Sequence, residues 1–144
     1  MTTVDDVDEL IERYQLALDE FMKGDPKPVQ ALFSHREDAS LANPYGPPVR
    51  GWEEIAKTTE HAASLHRDGR ATGFEVVAKY VTAELAYLVQ IEHLESKVGE
   101  REEITPYALR ATMIFRPEDG TWKVVHRHAD PITAPRPVGS VIQE

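Results

Sequence analysis

The residues whose types and spacing could do chemistry are concentrated in one short segment near the end of the chain, residues 120–130. The segment follows a Pro-Glu-Asp-Gly turn and is typical of a β-strand. Side chains alternate between the two faces of a strand, so His126, His128 and Asp130 share one side and Arg127 lies on the other. Two histidines placed in this way line a polar cavity, bind a partner or lie at a solvent-exposed edge of the sheet. The pattern leaves these three interpretations open.

A metal centre is one chemistry that these histidines could support. His93, His126 and His128 carry imidazoles, which bind Zn²⁺, and Asp130 or Glu92 could supply a further ligand. Their spacing matches no established zinc motif. We therefore predict no metal and no cofactor, and we interpret the histidines as residues of a cavity or an interface.

The composition excludes several classes of function. The chain has 144 residues, a net charge of -9 and no cysteine, and its basic residues are dispersed. Binding of nucleic acid or of an anionic membrane needs clustered Lys and Arg, so we predict neither partner. The chain has no apolar run near the roughly 20 residues that a membrane-spanning helix requires. Without cysteine there is no disulfide, thiolate metal site or Cys nucleophile. We expect a cytoplasmic protein.

Three helices are predicted in the first half of the chain. Apolar residues at intervals of three and four predict an amphipathic helix over residues 4–22. A second, short helix begins at Asp25-Pro26. A third is predicted over residues 51–67, with His66 near its end. Residues 39–42 favour a short strand between the second and third helices.

From residue 72 onward the apolar pattern alternates, which predicts strands. The residues expected to share a face are Phe74, Val76, Ala78 and Tyr80 in one strand, Leu85, Tyr87, Val89, Ile91 and His93 in the next, and Tyr107, Leu109, Ala111, Met113 and Phe115 in a third. Short connections favour an antiparallel sheet. We predict a single α+β domain over residues 1–131, with the three helices on one face of a curved sheet, and a Pro-rich tail over residues 132–144. Such a sheet encloses a pocket beneath the helices.

The order of these elements, together with local sequences, resembles the nuclear transport factor 2-like superfamily. The local sequences are Ile11-Glu12-Arg13-Tyr14, Gly24-Asp25 before Ala31-Leu32-Phe33, Asn43-Pro44 before Gly51-Trp52, and Gly120-Thr121-Trp122 before His126-Arg127-His128. The resemblance covers nearly the whole chain and implies a cone-shaped, cystatin-like fold. The superfamily includes ketosteroid isomerase, the polyketide cyclases and the association domain of calmodulin-dependent kinase, so the fold alone does not decide the function.

The resemblance to ketosteroid isomerase implies a role for one residue of this chain. At two other catalytic positions of that enzyme, this chain lacks the residue that the mechanism needs. Tyr14 matches the tyrosine that hydrogen-bonds the substrate oxygen in that enzyme. The position of the catalytic base falls on Asn43, which cannot take a proton as a carboxylate does. The position of the second donor falls near Ala111. We therefore do not expect steroid isomerisation by the known mechanism.

The resemblance to the kinase association domain bears on which face of the last strand is internal. An arginine near the place of Arg127 lines the pocket of that domain and binds an anion, which implies that Arg127 is a carboxylate anchor and that His126 and His128 face a partner subunit. Alternation alone points the other way, because the apolar Trp122 and Val124 share a face with the histidines. We favour Arg127 inward and leave the alternative open.

We expect the protein to bind a small, mostly apolar carbonyl compound. The ligand-binding residues that we predict are Asn43, Tyr45, Trp52, Tyr107 and Arg127. If the protein is an enzyme, it is an isomerase, cyclase or dehydratase that transfers a proton next to a carbonyl, with His128 or His93 as the base and Tyr14 as the oxyanion donor. The alternative is a non-catalytic ligand-binding or dimerisation module, and in either case we predict a homodimer formed through the outer face of the sheet.

Overall fold

A computed structural model describes residues 4–143 of the chain, without the side chains of Val4 and Asp5. Within this range there are three α-helices and one six-stranded sheet. The helices are α1 (Val4–Phe21), α2 (Lys27–Leu32) and α3 (Trp52–Ser64), and the strands are β1 (Ser40–Ala42), β2 (Val49–Arg50), β3 (His66–Val81), β4 (Ala86–Val98), β5 (Thr105–Glu118) and β6 (Thr121–Asp130). The predicted α+β class is confirmed. The division at residue 131 stays a prediction, and its outer limits at residues 1–3 and 144 lie outside the described residues.

The sheet is an antiparallel meander extended at one edge by two short strands. Its order is β2-β1-β6-β5-β4-β3, and neighbours from β3 to β6 are antiparallel. Strand β1 joins β6 in parallel, with Ser40 opposite His126. None of the described helices is long and apolar enough to cross a membrane.

The helices pack on one face of the sheet, here called the inner face. The core joins the apolar stripe of α1, including Val7 and Tyr14, to inward side chains such as Leu88 of β4, Phe115 of β5 and Val124 of β6. Burial of this apolar surface stabilises the fold by roughly 25 cal/mol per Å². The inner face is therefore where a ligand cavity can form.

A β-bulge in β6 settles the face of the last strand. Phe115 pairs with Val124 while the adjacent Ile114 pairs with His126, so Val125 is an extra residue on β6. Because a bulge shifts the alternation by one residue, residues on both sides of it point inward. Trp122 and Val124 belong to the core, as their apolar character suggested, and Arg127 is buried as well.

Three of the sequence-based assignments differ from the structure. In β3 a register shift between Val76 and Ala78 divides the residues expected on one face: Phe74 and Val76 pair with inner residues of β4, whereas Ala78 and Tyr80 pair with outer ones. In β4 the inner set is Ala86, Leu88, Gln90, Glu92, Leu94 and Ser96, all buried, so the more apolar set that contains His93 is on the outer face. Helix α3 ends at Ser64, and β3 begins at His66 instead of near residue 72. The outer face of β4 is partly exposed in this chain, so its apolar residues do not mark the core.

Candidate functional site

A narrow cavity of about 50 Å³ lies between the helices and the inner face of the sheet. Its lining is mostly apolar, and the polar residues on it are Tyr14, Asn43, Tyr45, Thr59, His66, Tyr107 and Arg127. About 10–15 Å³ holds one water molecule. The cavity therefore has room for a few waters or for one small ligand.

Tyr14 presents an unused hydrogen-bond donor to this cavity. It lies on the buried stripe of α1 with 1% of its surface exposed. No hydrogen bond within residues 4–143 contributes to the pKa of its hydroxyl. Burial raises the pKa of Tyr14 to about 12, against a smaller opposing effect of the Arg127 charge. The phenol therefore keeps its proton at neutral pH and can donate it to a ligand oxygen.

Arg127 and Glu92 form a buried ion pair beneath Tyr14. Arg127 Nη2 is 2.6 Å from Glu92 Oε1, and Nη1 is 2.8 Å from Oε2. The Arg127 guanidinium carbon lies 5.3 Å from the centre of the Tyr14 ring. Burial acts to lower the pKa of Arg127, but the Glu92 charge, its hydrogen bonds and the nearby Tyr14 and Tyr107 hydroxyls together outweigh it, so the pKa is raised. Arg127 therefore keeps its charge, and both of its terminal nitrogens are bonded to the Glu92 carboxyl group.

This pairing changes the expectation that Arg127 anchors an acidic ligand. The end of the guanidinium that would hold a carboxylate bidentately already holds Glu92. A second carboxylate would also approach the negative charge of Glu92 in a medium of low dielectric constant. The arrangement favours a neutral ligand.

Small residues give the arginine its path across the sheet. Arg127 extends from β6 over β5 to Glu92 on β4, passing Met113 Sδ at 3.6 Å. Ala111 and Ala129 are buried side by side in the pairing register, opposite Gln90. Gln90 Nε2 donates to Glu92 Oε2 at 2.9 Å. Its Oε1 is buried and has no hydrogen-bond partner among the described residues.

His66 is the histidine that lines the cavity. It is 2% exposed, and its Nδ1 lies 2.8 Å from Ser96 Oγ while its Nε2 lies 3.1 Å from Tyr45 Oη. Tyr107 Oη lies 3.4 Å from Nδ1 and donates to Met22 Sδ at 3.1 Å. Three hydroxyl groups thus surround one buried imidazole.

The protonation states around His66 follow from burial. Burial lowers the pKa of His66, so the imidazole is neutral at neutral pH and can accept a proton. Burial also raises the pKa of Tyr45 and of Tyr107, so both phenols keep their protons. The site therefore combines a neutral base with protonated donors, which is the combination that general acid–base chemistry requires.

Five of the eight site residues predicted from the sequence line this one cavity, and three do not. The lining set is Tyr14, Asn43, Tyr45, Tyr107 and Arg127. Asn43 Oδ1 accepts the backbone N–H of Tyr45 at 3.0 Å, which shapes the turn that carries Tyr45. Trp52 instead stacks on His35, with ring centres 3.7 Å apart, and packs against the core. It holds the start of α3 and does not reach the cavity.

The two histidines predicted as bases lie on the opposite side of the sheet. His93 Nε2 is 2.6 Å from Glu75 Oε2, and His128 Nε2 is 3.2 Å from Asp130 Oδ2. Both side chains are partly exposed to solvent, and the sheet separates them from Tyr14. The assignment of His93 and His128 as bases in the pocket is therefore corrected: alternation in β4 and the bulge in β6 turn both residues outward.

The outer-face histidines also do not converge on a metal site. His126 Nδ1 is 2.8 Å from Ser40 Oγ on β1. Among residues 4–143, no group of three or more His, Asp or Glu side chains is placed to hold a metal ion.

The sequence did not identify His66 as a cavity residue, because the helical pattern of residues 51–67 assigned it to the end of the third helix. The usable signal was in the neighbouring strand, where Gln90, Glu92 and Ser96 fall on one face at even spacing. Polar residues at inward positions of a strand need partners. Their partners in the structure are Arg127 for Glu92 and His66 for Ser96.

The fold and sequence have relatives among known proteins. Residues 7–134 match the model of the SnoaL-like domain family. A nuclear transport factor 2-like superfamily protein from Salmonella enterica serovar Typhimurium superposes with a TM-score of 0.76 at 21% identity, covering 96% of each chain. No curated protein matches the chain by sequence.

Two further solved structures share the fold at lower identity. A candidate dehydratase from Streptomyces avermitilis has a TM-score of 0.73 and 19% identity over 91% of this chain and 96% of its own. A ketosteroid isomerase-like protein from Erwinia carotovora atroseptica has a TM-score of 0.74 and 18% identity over 91% and 97%. At these identities the likeness establishes the fold and leaves the chemistry to the residues of the cavity.

Proposed function

This chain belongs to the SnoaL-like domain family, and on that premise we propose that it catalyses proton transfer next to the carbonyl group of a small neutral compound. The reaction class is isomerisation or dehydration. The single observation that carries the proposal is the presence of a neutral, buried His66 and an unused Tyr14 hydroxyl on the same cavity.

The role of Tyr14 is to stabilise the oxygen that becomes negative when a proton leaves the neighbouring carbon. A donor buried in a mostly apolar cavity is worth far more than one in solvent. Arg127 lies against the Tyr14 ring, and its charge favours negative charge nearby. Because Glu92 compensates that charge in the resting state, the site does not demand an anionic substrate.

The role of His66 is to supply the basic nitrogen. Its lowered pKa keeps it unprotonated at neutral pH. The rate should therefore stay constant at neutral and alkaline pH and fall as the pH drops below the usual histidine range, where the imidazole becomes charged. A rate that rises on acidification would contradict this assignment.

The test is proton exchange at carbon, which needs no knowledge of the natural substrate. The protein is incubated in deuterium oxide with a panel of small cyclic and linear ketones, and deuterium at the α-carbon is followed by NMR. We expect exchange by the unmodified protein and a loss of about 100-fold or more in His66→Gln, with a smaller loss in Tyr14→Phe. The outer-face variants His93→Gln and His128→Gln are matched controls and should keep the rate. Loss only in these two variants would overturn the proposal.

A homodimer is the second proposal, and an apolar patch on the outer face supports it. Tyr80 and Tyr87 are substantially exposed there and lie ring to ring, 6.1 Å between centres. Leu85 is exposed in the adjoining hairpin. Contiguous apolar patches of this kind are typical of interfaces. Dimerisation is compatible with catalysis. If the protein has no catalytic activity, dimerisation would fit the alternative of a non-catalytic module.

A further inference from the structure

Both ring nitrogens of His66 are already hydrogen-bonded. Nδ1 is held by Ser96 at 2.8 Å and Nε2 by Tyr45 at 3.1 Å. A base must lie within about 2.6–3.2 Å of the proton that it takes, directly or through a bridging group. Neither nitrogen is free to contact a ligand, so the route from His66 to the cavity runs through one of its partners.

The contacts of His66 are compatible with Nε2 as the basic nitrogen. The Tyr107 hydroxyl donates to Met22 Sδ and also adjoins Tyr45 and Ser96, and where its one proton is donated away from His66 it accepts from Nδ1. The relay proposed below has the proton of the neutral imidazole on Nδ1, which faces Ser96 and Tyr107. Nε2 carries the lone pair, and Tyr45 donates its hydroxyl proton to it.

Tyr45 is the partner that reaches a ligand. Ser96 is fully buried and, within the described part of the chain, does not line the cavity. Tyr45 lines the cavity and also two grooves outside it, so its ring stands at the mouth. Its hydroxyl is hydrogen-bonded to His66 and adjoins Tyr107, both of which also line the cavity.

We propose that Tyr45 is a catalytic residue, whose oxygen exchanges the proton with the substrate while His66 acts through it; this inference rests on the proposed function. The C–H bond next to the carbonyl breaks and its proton bonds to the Tyr45 oxygen. At the same time the Tyr45 hydroxyl proton moves to His66 Nε2. The C–H electron pair forms the enolate, whose oxygen accepts the Tyr14 hydrogen bond.

The return steps restore both residues. The imidazolium gives its proton back to the Tyr45 oxygen, and Tyr45 delivers a proton to a carbon of the enolate or to a departing hydroxyl, which leaves as water. The number of protons on the protein is unchanged over the cycle. No oxidant, reductant or second substrate is needed.

Tyr45→Phe is the decisive variant, because it keeps the ring at the mouth and removes only the hydroxyl. Tyr87→Phe, the same change on the outer face, is the matched control. In the ketone exchange assay we expect Tyr45→Phe to lose about 100-fold or more, as His66→Gln does, and Tyr87→Phe to keep the rate. Circular dichroism and the urea midpoint check that each variant is folded.

The outcomes separate the two proposals. If His66→Gln loses exchange while Tyr45→Phe stays within about threefold of the unmodified protein, His66 contacts the substrate itself; the Tyr45 proposal is then overturned and the proposed function stands. If the unmodified protein exchanges no ketone, both are overturned.

A measurement without substrate tests the relay independently. Nitrogen-15 NMR of the histidine rings should find the His66 proton on Nδ1 in the unmodified protein. The Nε2 resonance should change in Tyr45→Phe, which removes its donor. A proton on Nε2 would overturn the relay whatever the exchange rates are.

Discussion

At the scale of single residues, charge compensation is the feature that shapes the site. A buried arginine next to an apolar cavity would bind anions strongly if it were alone. Glu92 removes that property, and Gln90 fixes the carboxylate from the other side. What remains available to a ligand is the Tyr14 hydroxyl and the Tyr45–His66 pair, which suit a neutral compound with a polar oxygen.

The ion pair gives a stability prediction at this scale. Glu92→Leu leaves the Arg127 charge buried without a partner, and we expect it to lower the free energy of unfolding by about 3–5 kcal/mol. The double variant Glu92→Leu with Arg127→Met removes both charges and should recover most of that loss. Urea unfolding measures both. Glu95→Leu, which breaks the exposed pair with Arg70, is the control and should cost less than about 1 kcal/mol.

At the scale of elements, the irregular positions of the strands decide which side chains reach the cavity. The bulge at Val125 brings Arg127 inward after Val124 has already pointed inward. At the start of β3, the Gly69 N–H donates to Met22 O at 3.1 Å and joins this strand to the end of α1. That junction fixes the place of His66, three residues earlier.

Gly69 is therefore the position at which a methyl group should do the most harm. A Cβ at Gly69 would lie 2.3 Å from Glu95 O and 2.5 Å from Ser96 Cβ. We expect Gly69→Ala to lower the free energy of unfolding by about 3 kcal/mol and to displace His66. Gly73→Ala in the same strand, where nothing lies within 4 Å, is the matched control and should stay within about 0.5 kcal/mol. Equal effects in urea unfolding would show that the junction is not rigid.

At the scale of the whole molecule, the two faces of the sheet have separate tasks. The inner face holds the cavity and the buried polar groups. The outer face carries His93, His126 and His128 together with the apolar patch of Tyr80 and Tyr87. In the homodimer proposed above, this outer face is the subunit interface.

The homodimer proposal predicts a defined response to mutation. Tyr87→Glu places a charge in the apolar patch and should convert the dimer into monomer in sedimentation velocity. Leu16→Glu changes an apolar residue on α1 that is more exposed than Tyr87, and it should leave the dimer intact. If the unmodified protein is a monomer, the homodimer proposal is wrong. If only Leu16→Glu dissociates the dimer, the interface lies on α1 and not on the outer face of the sheet.

The fold class and most elements could be predicted from the sequence because they depend on local periodicity. The stripe of α1 identified Tyr14 as buried, and alternation identified the inner face of β5 from Tyr107 to Phe115. The turn at Asn43 and Tyr45 was readable from its proline and asparagine. These features follow from side-chain spacing within one segment.

The tertiary structure alone decided which chemistry-bearing residues meet. A one-residue bulge reverses the faces of Arg127 and His128, and no local pattern in β6 announces it. His66 became the cavity histidine because the strand pairing that begins at residue 66 overrode a helical pattern, placing it beside Ser96, 30 residues away. Glu92 and Arg127 are likewise 35 residues apart in the chain. Sequence periodicity determines the elements, whereas the register between elements determines the site, since register depends on pairings between distant segments.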